Sequence, residues 1–181
     1  MVKFMIPAPH TDEELKRLQA LDESEFLDTP SEAKFDFITD IVSRICNCPI
    51  ALVSLVDKDW QWFKSKVGLD VCETSREIAF YAYTILQDRI FEIQDTQLDH
   101  RFFDNPLVIE EPMIRFYAGV PIVWNDLNIG TLCVIDKVPK KLSQEQKDCL
   151  QRLAIYIGEV ILNPVLLPIC VNVWILCFVR R

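Results

Sequence analysis

The side chains best suited to metal binding and nucleophilic chemistry are seven cysteines and two histidines. Cys46 and Cys48 are too close together for the usual pair of zinc ligands, and no second Cys or His pair with ligand spacing follows them. The histidines, His10 and His100, are far apart in the sequence. An odd number of cysteines and an N-terminus without a long apolar stretch predict free thiols in a reducing, cytoplasmic compartment. We therefore expect no metal site and no disulfide framework.

Charged side chains that can bind a ligand lie in and near one long polar connection, residues 95–108. Arg101 can hold a carboxylate or a phosphate through two parallel hydrogen bonds, or can form a salt bridge that only fixes its own loop. Arg115 lies just beyond this connection and can pair with either Glu73 or Asp95. Connections of this length are often functional, because shorter ones suffice to join two elements.

Composition restricts the classes of partner. The chain has 181 residues, enough for one domain with a substantial core, and a net charge of −8. Basic residues are scattered among acidic ones, whereas a nucleic-acid-binding surface needs a basic patch. The sequence therefore excludes nucleic acid as an expected partner.

Apolar periodicity and capping residues predict the elements that position these side chains. Thr11 with Glu14, Thr29 with Pro30, and Ser143 with Gln146 each mark the start of a helix. The predicted helices cover residues 11–26, 29–46, 76–87 and 143–161. The predicted strands cover residues 50–56, 60–67, 89–93, 114–122 and 129–135.

This order of elements predicts an α+β fold, because the strands follow one another through hairpins rather than through βαβ crossovers. We expect an antiparallel sheet of five or six strands, with terminal helices on one face and a loop-built pocket on the other. Strict alternation places Trp60, Trp62, Lys64 and Lys66 on one face of their strand. Likewise, Ile114, Phe116 and Ala118 share one face of a later strand, and Arg115 and Tyr117 share the opposite face.

Residues 27–136 resemble bacterial GAF domains nearly from end to end. The stretches that carry the resemblance are Leu27–Pro30, Ala51–Asp57, Gln61–Ser65, Val67–Leu69, Glu73–Glu77, Asp104–Val108, Ile114–Gly119 and Ile129–Asp136. The resemblance implies a pocket in front of the sheet and helices behind it. Such domains bind cyclic nucleotides, tetrapyrroles or other small ligands, or simply dimerise, and usually accompany kinase, cyclase or phosphodiesterase domains. The domain boundaries we expect are 1–26 for an N-terminal helical segment, 27–161 for the GAF domain and 162–181 for a hydrophobic tail.

One departure from the family pattern bears on the ligand. Similar domains often read Ser-Phe-Cys-Ala-His where this chain has Ala79-Phe80-Tyr81-Ala82-Tyr83. Tyrosines at both positions disfavour a covalent bilin at Tyr81 and a metal held at Tyr83. The motif of phosphodiesterase-type cyclic-nucleotide pockets is also not evident, so no particular cofactor is predicted.

The resemblance also implies a set of pocket residues. Aromatic walls suit a planar ligand, although plain core packing is the alternative for Phe80 and Phe102. The candidate ligand-binding residues are Trp62, Phe80, Tyr83, Asp95, Arg101, Phe102, Arg115 and Tyr117; we predict no catalytic residue. Glu73 and Arg76 are expected to order the connection into the short helix that follows them.

Three functions compete on these grounds. The first is a sensory domain that binds a small molecule and relays a signal to a partner protein or output domain. The second is a dimerisation and relay module without a ligand. The apolar stripes of helices 11–26 and 143–161 predict a homodimer through these terminal helices. The third is an enzyme like the free methionine sulfoxide reductases, which need a reactive cysteine in the pocket; Cys72 lies nearby but has no neighbouring histidine. The sequence therefore predicts that the chain is not an enzyme.

The last twenty residues are unusual for such a domain. Residues 160–179 are long and apolar enough to span a bilayer, but Pro164, Pro168 and Asn172 weaken a helix there. A membrane anchor, an element packed on the domain, and an out-of-register or truncated gene product are the three alternatives. The expected location is the cytoplasm, with membrane anchoring as the alternative.

Overall fold

The structure is a computed structural model that describes residues 6–161. Within this range the helices are α1 (Glu14–Glu23), α2 (Ala33–Cys46), α3 (Phe80–Thr84), α4 (Pro106–Ile109) and α5 (Gln144–Tyr156). The strands are β1 (Ile50–Val56), β2 (Trp60–Val67), β3 (Glu73–Ser75), β4 (Phe91–Ile93), β5 (Phe116–Trp124) and β6 (Leu127–Asp136). Two 3₁₀ helices lie at Arg76–Ile78 and Thr96–Leu98, and a π-helical turn at Ile157–Ile161 follows α5. The tail at 162–181, with its three alternatives, lies outside the described residues.

The strands form one antiparallel sheet in the order β3-β2-β1-β6-β5-β4. This confirms the predicted α+β architecture with an antiparallel sheet. The edge strand β3 was not predicted, because a three-residue strand carries no periodic signal of its own. Within residues 6–161, no helix combines the length and the apolar character needed to cross a membrane.

The sheet separates two buried cores, as the alternation along the strands requires. The helix-side core lies under α1, α2 and α5 and includes Leu21, Phe35, Phe116 and Leu150. The loop-side core lies under α3 and the 95–115 segment; its larger members are Phe80, Tyr81, Tyr83, Phe102, Ile114 and Tyr117. Phe116 and Tyr117 are consecutive in β5 and point into different cores, as predicted, whereas Ile114 precedes the strand and lies with Tyr117 rather than with Phe116.

A bulge in β2 breaks the predicted alternation of that strand. Ser65 pairs with Val53 and Phe63 pairs with Ser54, so Lys64 is the extra residue between the two pairs. Lys64 and Ser65 consequently both face α2. The buried Lys64 ammonium lies 5.3 Å from the centroid of the Phe35 ring and 2.7 Å from Glu32 Oε1, on the helix side.

Two predicted helix starts are wrong. α1 begins at Glu14 rather than Thr11, because the Thr11 hydroxyl donates to the Glu14 carboxylate at 2.9 Å instead of accepting from the helix backbone. The other half of the predicted capping box is present, since the same carboxylate accepts from the Thr11 backbone N–H at 3.3 Å. α2 begins at Ala33 rather than Thr29. Thr29 instead accepts a hydrogen bond from Lys64 Nζ at 2.5 Å.

The third predicted helix start is confirmed. Ser143 and Gln146 form a reciprocal capping box, in which each side chain accepts from the backbone N–H of the other residue. The predicted helix 76–87 is instead divided into a 3₁₀ turn and the five-residue α3, because the backbone of Ala79 is extended.

Candidate functional site

Three of the predicted pocket residues form the centre of the loop-side core. The Phe80 ring stacks on Phe102 with centroids 4.6 Å apart and on Tyr117 with centroids 5.2 Å apart. All three side chains are buried. The three rings therefore pack against one another. In this conformation Phe80 and Phe102 follow the core-packing alternative.

The Tyr117 hydroxyl is buried beneath this stack and is hydrogen-bonded. It lies 2.7 Å from Thr84 Oγ1. Gly119 makes room for it, since a β-carbon at that position would lie 2.2 Å from the Tyr117 hydroxyl oxygen. Burial raises the pKa of Tyr117 well above its ordinary value, so the phenol stays neutral.

Tyr83 lies at the outer margin of the stack and joins it to the N-terminal segment. Its ring makes an edge contact with Phe102 at 5.0 Å between centroids and stacks on Phe91 at 6.2 Å. Its hydroxyl donates to the carbonyl oxygen of Ile6 at 2.6 Å. Ala8 from the same segment packs against the loop-side core, so residues 6–8 cover this part of the aromatic surface.

Arg101 forms the salt bridge within its own loop. Nε donates to Asp99 Oδ1 at 2.9 Å and Nη2 donates to Asp99 Oδ2 at 2.5 Å. The guanidinium also lies over the rings of Tyr83, Phe91 and Phe102. The hydrogen bond from Arg101 holds the pKa of Asp99 below its ordinary value.

Arg115 pairs with Asp95, which decides between the two partners left open by the sequence. Nε and Nη2 donate to the two carboxylate oxygens at 3.0 and 2.8 Å. Asp95 also caps the 3₁₀ helix Thr96–Leu98 by accepting from the backbone N–H of Gln97. Asp95 and Asp99 both line a shallow groove of about 270 Å³.

Trp62 does not join this group. It packs against the helix-side core, on the opposite face of the sheet from Tyr117. The expectation that Trp62 lines the pocket is therefore wrong, because the odd-numbered Phe63, rather than Trp62, points to the loop side. The structure brings together Phe80, Tyr83, Arg101, Phe102 and Tyr117, with the Asp95–Arg115 pair at the edge of the same side.

A second concavity, which the sequence did not predict, lies at one end of the sheet. This groove of about 510 Å³ is bounded by the N-terminal segment, the α3–β4 loop and the β5–β6 hairpin. Its lining residues are His10, Thr11, Asp12, Glu13, Arg17, Ile85, Leu86, Asp88, Val123, Asp126, Leu127 and Asn128. Three separate stretches of chain form it, so no local sequence pattern could have indicated it.

Arg17 and Arg76 share one carboxylate beside that groove. Glu14 Oε1 lies 2.6 Å from both Arg17 Nη2 and Arg76 Nη1. Burial alone would raise the pKa of Glu14, but the hydrogen bonds from the two arginines outweigh it and hold the pKa far below its ordinary range. Arg76 thereby anchors its connection, as predicted, although its partner is in α1. The role of Arg17 was missed, because its spacing indicated only a helix surface.

Within residues 6–161, no three histidine, cysteine, aspartate or glutamate side chains are grouped so that they could hold a metal ion. Burial raises the pKa of Cys48 to about 11 and that of Cys46 to about 12. These two thiols are therefore protonated near neutral pH and are poor nucleophiles there.

Comparison with known proteins places these features in a family. The family model described as "GAF domain" matches residues 31–161. A cyclic di-GMP phosphodiesterase of Pseudomonas aeruginosa is 41% identical over 137 residues, which are 75% of this chain and 23% of the relative. The chain thus spans less than a quarter of the length of that curated relative.

Solved structures share the fold. The GAF domain of an Acinetobacter phosphoenolpyruvate-protein phosphotransferase matches with a TM-score of 0.60 and 18% identity, over 83% of this chain and 94% of that one. The Thermosynechococcus elongatus PixJ GAF domain, in its blue-light-absorbing form, matches with a TM-score of 0.57 and 18% identity, over 91% and 98%. A type II free methionine-R-sulfoxide reductase from Thermoplasma acidophilum matches with a TM-score of 0.58 and 11% identity, over 77% and 92%.

The relative from P. aeruginosa contradicts one prediction. The sequence was expected to have no enzymatic character, yet this curated relative carries the name of an enzyme. The prediction rested on Cys72 and so addressed only chemistry inside the domain, whereas the relative's name describes a protein more than four times as long as the matched region.

Proposed function

This chain belongs to the GAF domain family, and on that premise we propose that it is a sensory and regulatory domain that binds a small molecule on its loop side. The bound state is relayed to a signalling partner or output domain. The name of the P. aeruginosa relative suggests that the controlled activity is the turnover of cyclic di-GMP.

The convergence of the aromatic residues with one cation carries this proposal. Phe80, Tyr83, Phe102 and Tyr117 come from three separate parts of the chain and meet on one side of the sheet, with Arg101 over the outermost rings. Small-molecule sites are typically apolar and aromatic surfaces with a few placed polar groups, which is the composition found here.

The contacts that close this side are suited to reversible opening. The N-terminal segment is tied to Tyr83 by one hydrogen bond, and Arg101 is tied to Asp99 within the same loop. Individual hydrogen bonds contribute only about 1 kcal/mol to stability, so a ligand can replace them without unfolding the sheet. The long connection 95–108 therefore acts as a lid in this proposal.

Strand β5 supplies a physical route for the relay. Phe116 lies in the helix-side core and Tyr117 in the loop-side core, one peptide bond apart. A ligand that moves Tyr117 shifts the backbone to which Phe116 is attached. Because close-packed cores transmit strain, the shift reaches α2 and α5 on the other face.

The test is a thermal-shift screen of the full chain with cyclic di-GMP, cyclic GMP, cyclic AMP, biliverdin and amino acids, checked by native mass spectrometry. Tyr117→Phe, which removes one buried hydroxyl from the loop side, should weaken the ligand found by about tenfold. Arg152→Ala on the exposed part of α5 should leave its affinity unchanged. Equal affinity in all variants, with unchanged melting temperature, would place the ligand elsewhere.

A relay module without a ligand is the second candidate, and one observation favours it. The Phe80, Phe102 and Tyr117 rings are already in contact, so the protein itself fills the centre of the loop side. If no compound in the screen shifts the melting temperature and native mass spectra show only the chain, this second function replaces the first.

We also propose that the domain acts as a homodimer in the cytoplasm. Apolar side chains remain exposed on two of the helices, Leu15 on α1 and Ile155 on α5, and a second copy could cover them. Seven cysteines without a recognisable disulfide pattern support a reducing compartment.

A further inference from the structure

Three aromatic rings surround one guanidinium at the outer margin of the loop-side core. Arg101 Cζ lies 5.4 Å from the ring centroid of Tyr83, 4.9 Å from that of Phe91 and 5.3 Å from that of Phe102. The three rings contact one another, with centroids 5.0 to 6.4 Å apart. We call these three residues the aromatic box.

Two walls of the box are held in place, whereas its occupant is partly exposed. Phe102 is buried within the Phe80 stack, and the Tyr83 hydroxyl is fixed by the Ile6 carbonyl. The Arg101 side chain is 29% exposed, and Asp99, which neutralises it, is 16% exposed. Arg101 can therefore leave the box by rotation of its own flexible side chain, while the rings stay in place.

We propose that Tyr83, Phe91 and Phe102, with the Asp99 carboxylate, form a binding site for a small organic cation, and that Arg101 occupies this site as an internal substitute for the ligand. The site takes a quaternary ammonium or an alkylguanidinium group. This inference rests on the proposed function, since it names the class of ligand received on the loop side.

The chemistry of the box selects a cation. The face of an aromatic ring carries negative potential, so several rings around one point attract a positive charge, and more strongly where water is excluded. The carboxylate of Asp99 adds to this attraction. An anion would meet both the ring faces and Asp99, and Asp99 already accepts from Nε and Nη2 of Arg101.

Competition with Arg101 sets the concentration of external cation that is needed to fill the site. The apparent affinity for an external cation is reduced by the fraction of time that Arg101 occupies the box. Removal of the Arg101 side chain should therefore unmask the site rather than destroy it. The opposite result is expected if Arg101 itself holds the ligand.

The chain contains a matched control in the Arg115–Asp95 pair. Both pairs have the same arrangement of Nε and Nη2 on the two carboxylate oxygens. Arg115 is 28% exposed and Asp95 16%, nearly the values of the first pair. The contacts described for Arg115 include no aromatic ring, so the aromatic box is the difference that this comparison tests.

The experiment is chemical rescue of the full chain, with Arg101→Ala, Arg115→Ala and the unmodified protein compared. Melting temperature and binding are measured with tetramethylammonium and with methylguanidinium, and with sodium chloride at the same ionic strength. Tetramethylammonium should bind Arg101→Ala about tenfold more tightly than the unmodified protein. Both cations should raise the melting temperature of Arg101→Ala, but not that of Arg115→Ala, and Phe91→Leu in the Arg101→Ala background should abolish the effect.

An equal response of Arg101→Ala and Arg115→Ala to both cations would overturn the proposal. If Arg101→Ala does not fold, NMR of the unmodified protein takes its place. The Arg101 Nε–H proton should resonate upfield of that of Arg115 because of the ring currents, and should move towards it as tetramethylammonium is added. Absence of that upfield position overturns the proposal equally. Neither measurement uses a signalling ligand. If a compound from the thermal-shift screen binds the loop side but neither organic cation gives rescue, only the cation site is rejected and the proposed function stands.

Discussion

The Tyr83 hydroxyl donates to the Ile6 carbonyl oxygen at 2.6 Å, between residues 77 positions apart in the sequence. This bond joins the N-terminal segment to α3 and orients the Tyr83 ring against Phe102. The bond therefore links the N-terminal segment, which covers part of the loop side, to one of the rings beneath that segment.

Tyr83→Phe should therefore loosen the N-terminal segment without disturbing the sheet. We expect a stability loss of about 1 kcal/mol, the usual contribution of one hydrogen bond. The ¹⁵N order parameters of Ile6, Ala8 and His10 should fall, and those of β1 and β6 should stay unchanged. Tyr81→Phe is the control, because the Tyr81 hydroxyl faces Cys133 in the core. Equal order parameters of these three residues in both variants would show that the bond does not hold the segment.

Glu14→Gln should destabilise the fold, because Arg17 and Arg76 then lose their shared counter-charge. Both arginines are buried, and a buried charge without its partner is costly. We expect a loss of about 2 kcal/mol in the free energy of unfolding, measured by urea titration near neutral pH. Glu13→Gln, at the neighbouring exposed pair with Lys16, should leave it nearly unchanged, because solvent screens that pair. A similar effect of the two substitutions would contradict this role.

Stability should fall in acid for the same reason. Hydrogen bonds from Arg115 and Arg101 lower the pKa values of Asp95 and Asp99, and the two arginines outweigh burial at Glu14. A carboxyl whose pKa is lower in the folded state stabilises the fold fully above its unfolded pKa, about 4, and progressively less as the pH falls through its folded pKa. The melting temperature should thus be nearly flat from about pH 5 to 7 and fall steeply below about pH 4. Glu14→Gln should make the melting temperature fall less steeply in acid. An unchanged fall in this variant would count against the role of Glu14 in acid sensitivity.

The helical face should mediate self-association. Sedimentation of the full chain at micromolar concentration should show two chains, because α1 and α5 carry exposed apolar residues. Leu15→Glu combined with Ile155→Glu should give a monomer. Val138→Glu, which is 55% exposed but lies outside the helices, should leave the dimer intact. A monomer in the unmodified protein would reject this interface.

No bilin should attach covalently to the chain. Tyr81 and Tyr83 stand where related domains carry cysteine and histidine, and the ordinary pKa of a phenol is about 10. Burial raises the pKa of Tyr81 further, which makes its hydroxyl a poorer nucleophile still. Co-expression with bilin synthesis, followed by denaturing electrophoresis and zinc fluorescence, provides the measurement. A fluorescent band at the mass of the chain would refute this prediction.

Some of this architecture follows from short-range patterns in the sequence. The Ser143–Gln146 capping box, the β1–β2 hairpin and the opposite orientations of Phe116 and Tyr117 were all predictable. Each depends on the identity and spacing of residues a few positions apart, because helix capping and strand alternation are local effects. The order of these elements was then sufficient to indicate an antiparallel sheet.

The tertiary structure alone decided the partners of the charged side chains. Glu14 makes its predicted capping-box bond to the Thr11 backbone N–H, and it also joins Arg17 to Arg76, which lies 62 positions from it in the sequence. Lys64 looked like one residue in an alternating strand, but a bulge turns it towards Glu32 and Phe35. Arg101 could have held a ligand or fixed its own loop, and the fold pairs it with Asp99 and places its guanidinium over the rings of Tyr83, Phe91 and Phe102. A buried charge is stabilised by whichever counter-charges and rings the fold brings within a few ångströms, and a linear pattern does not contain those distances.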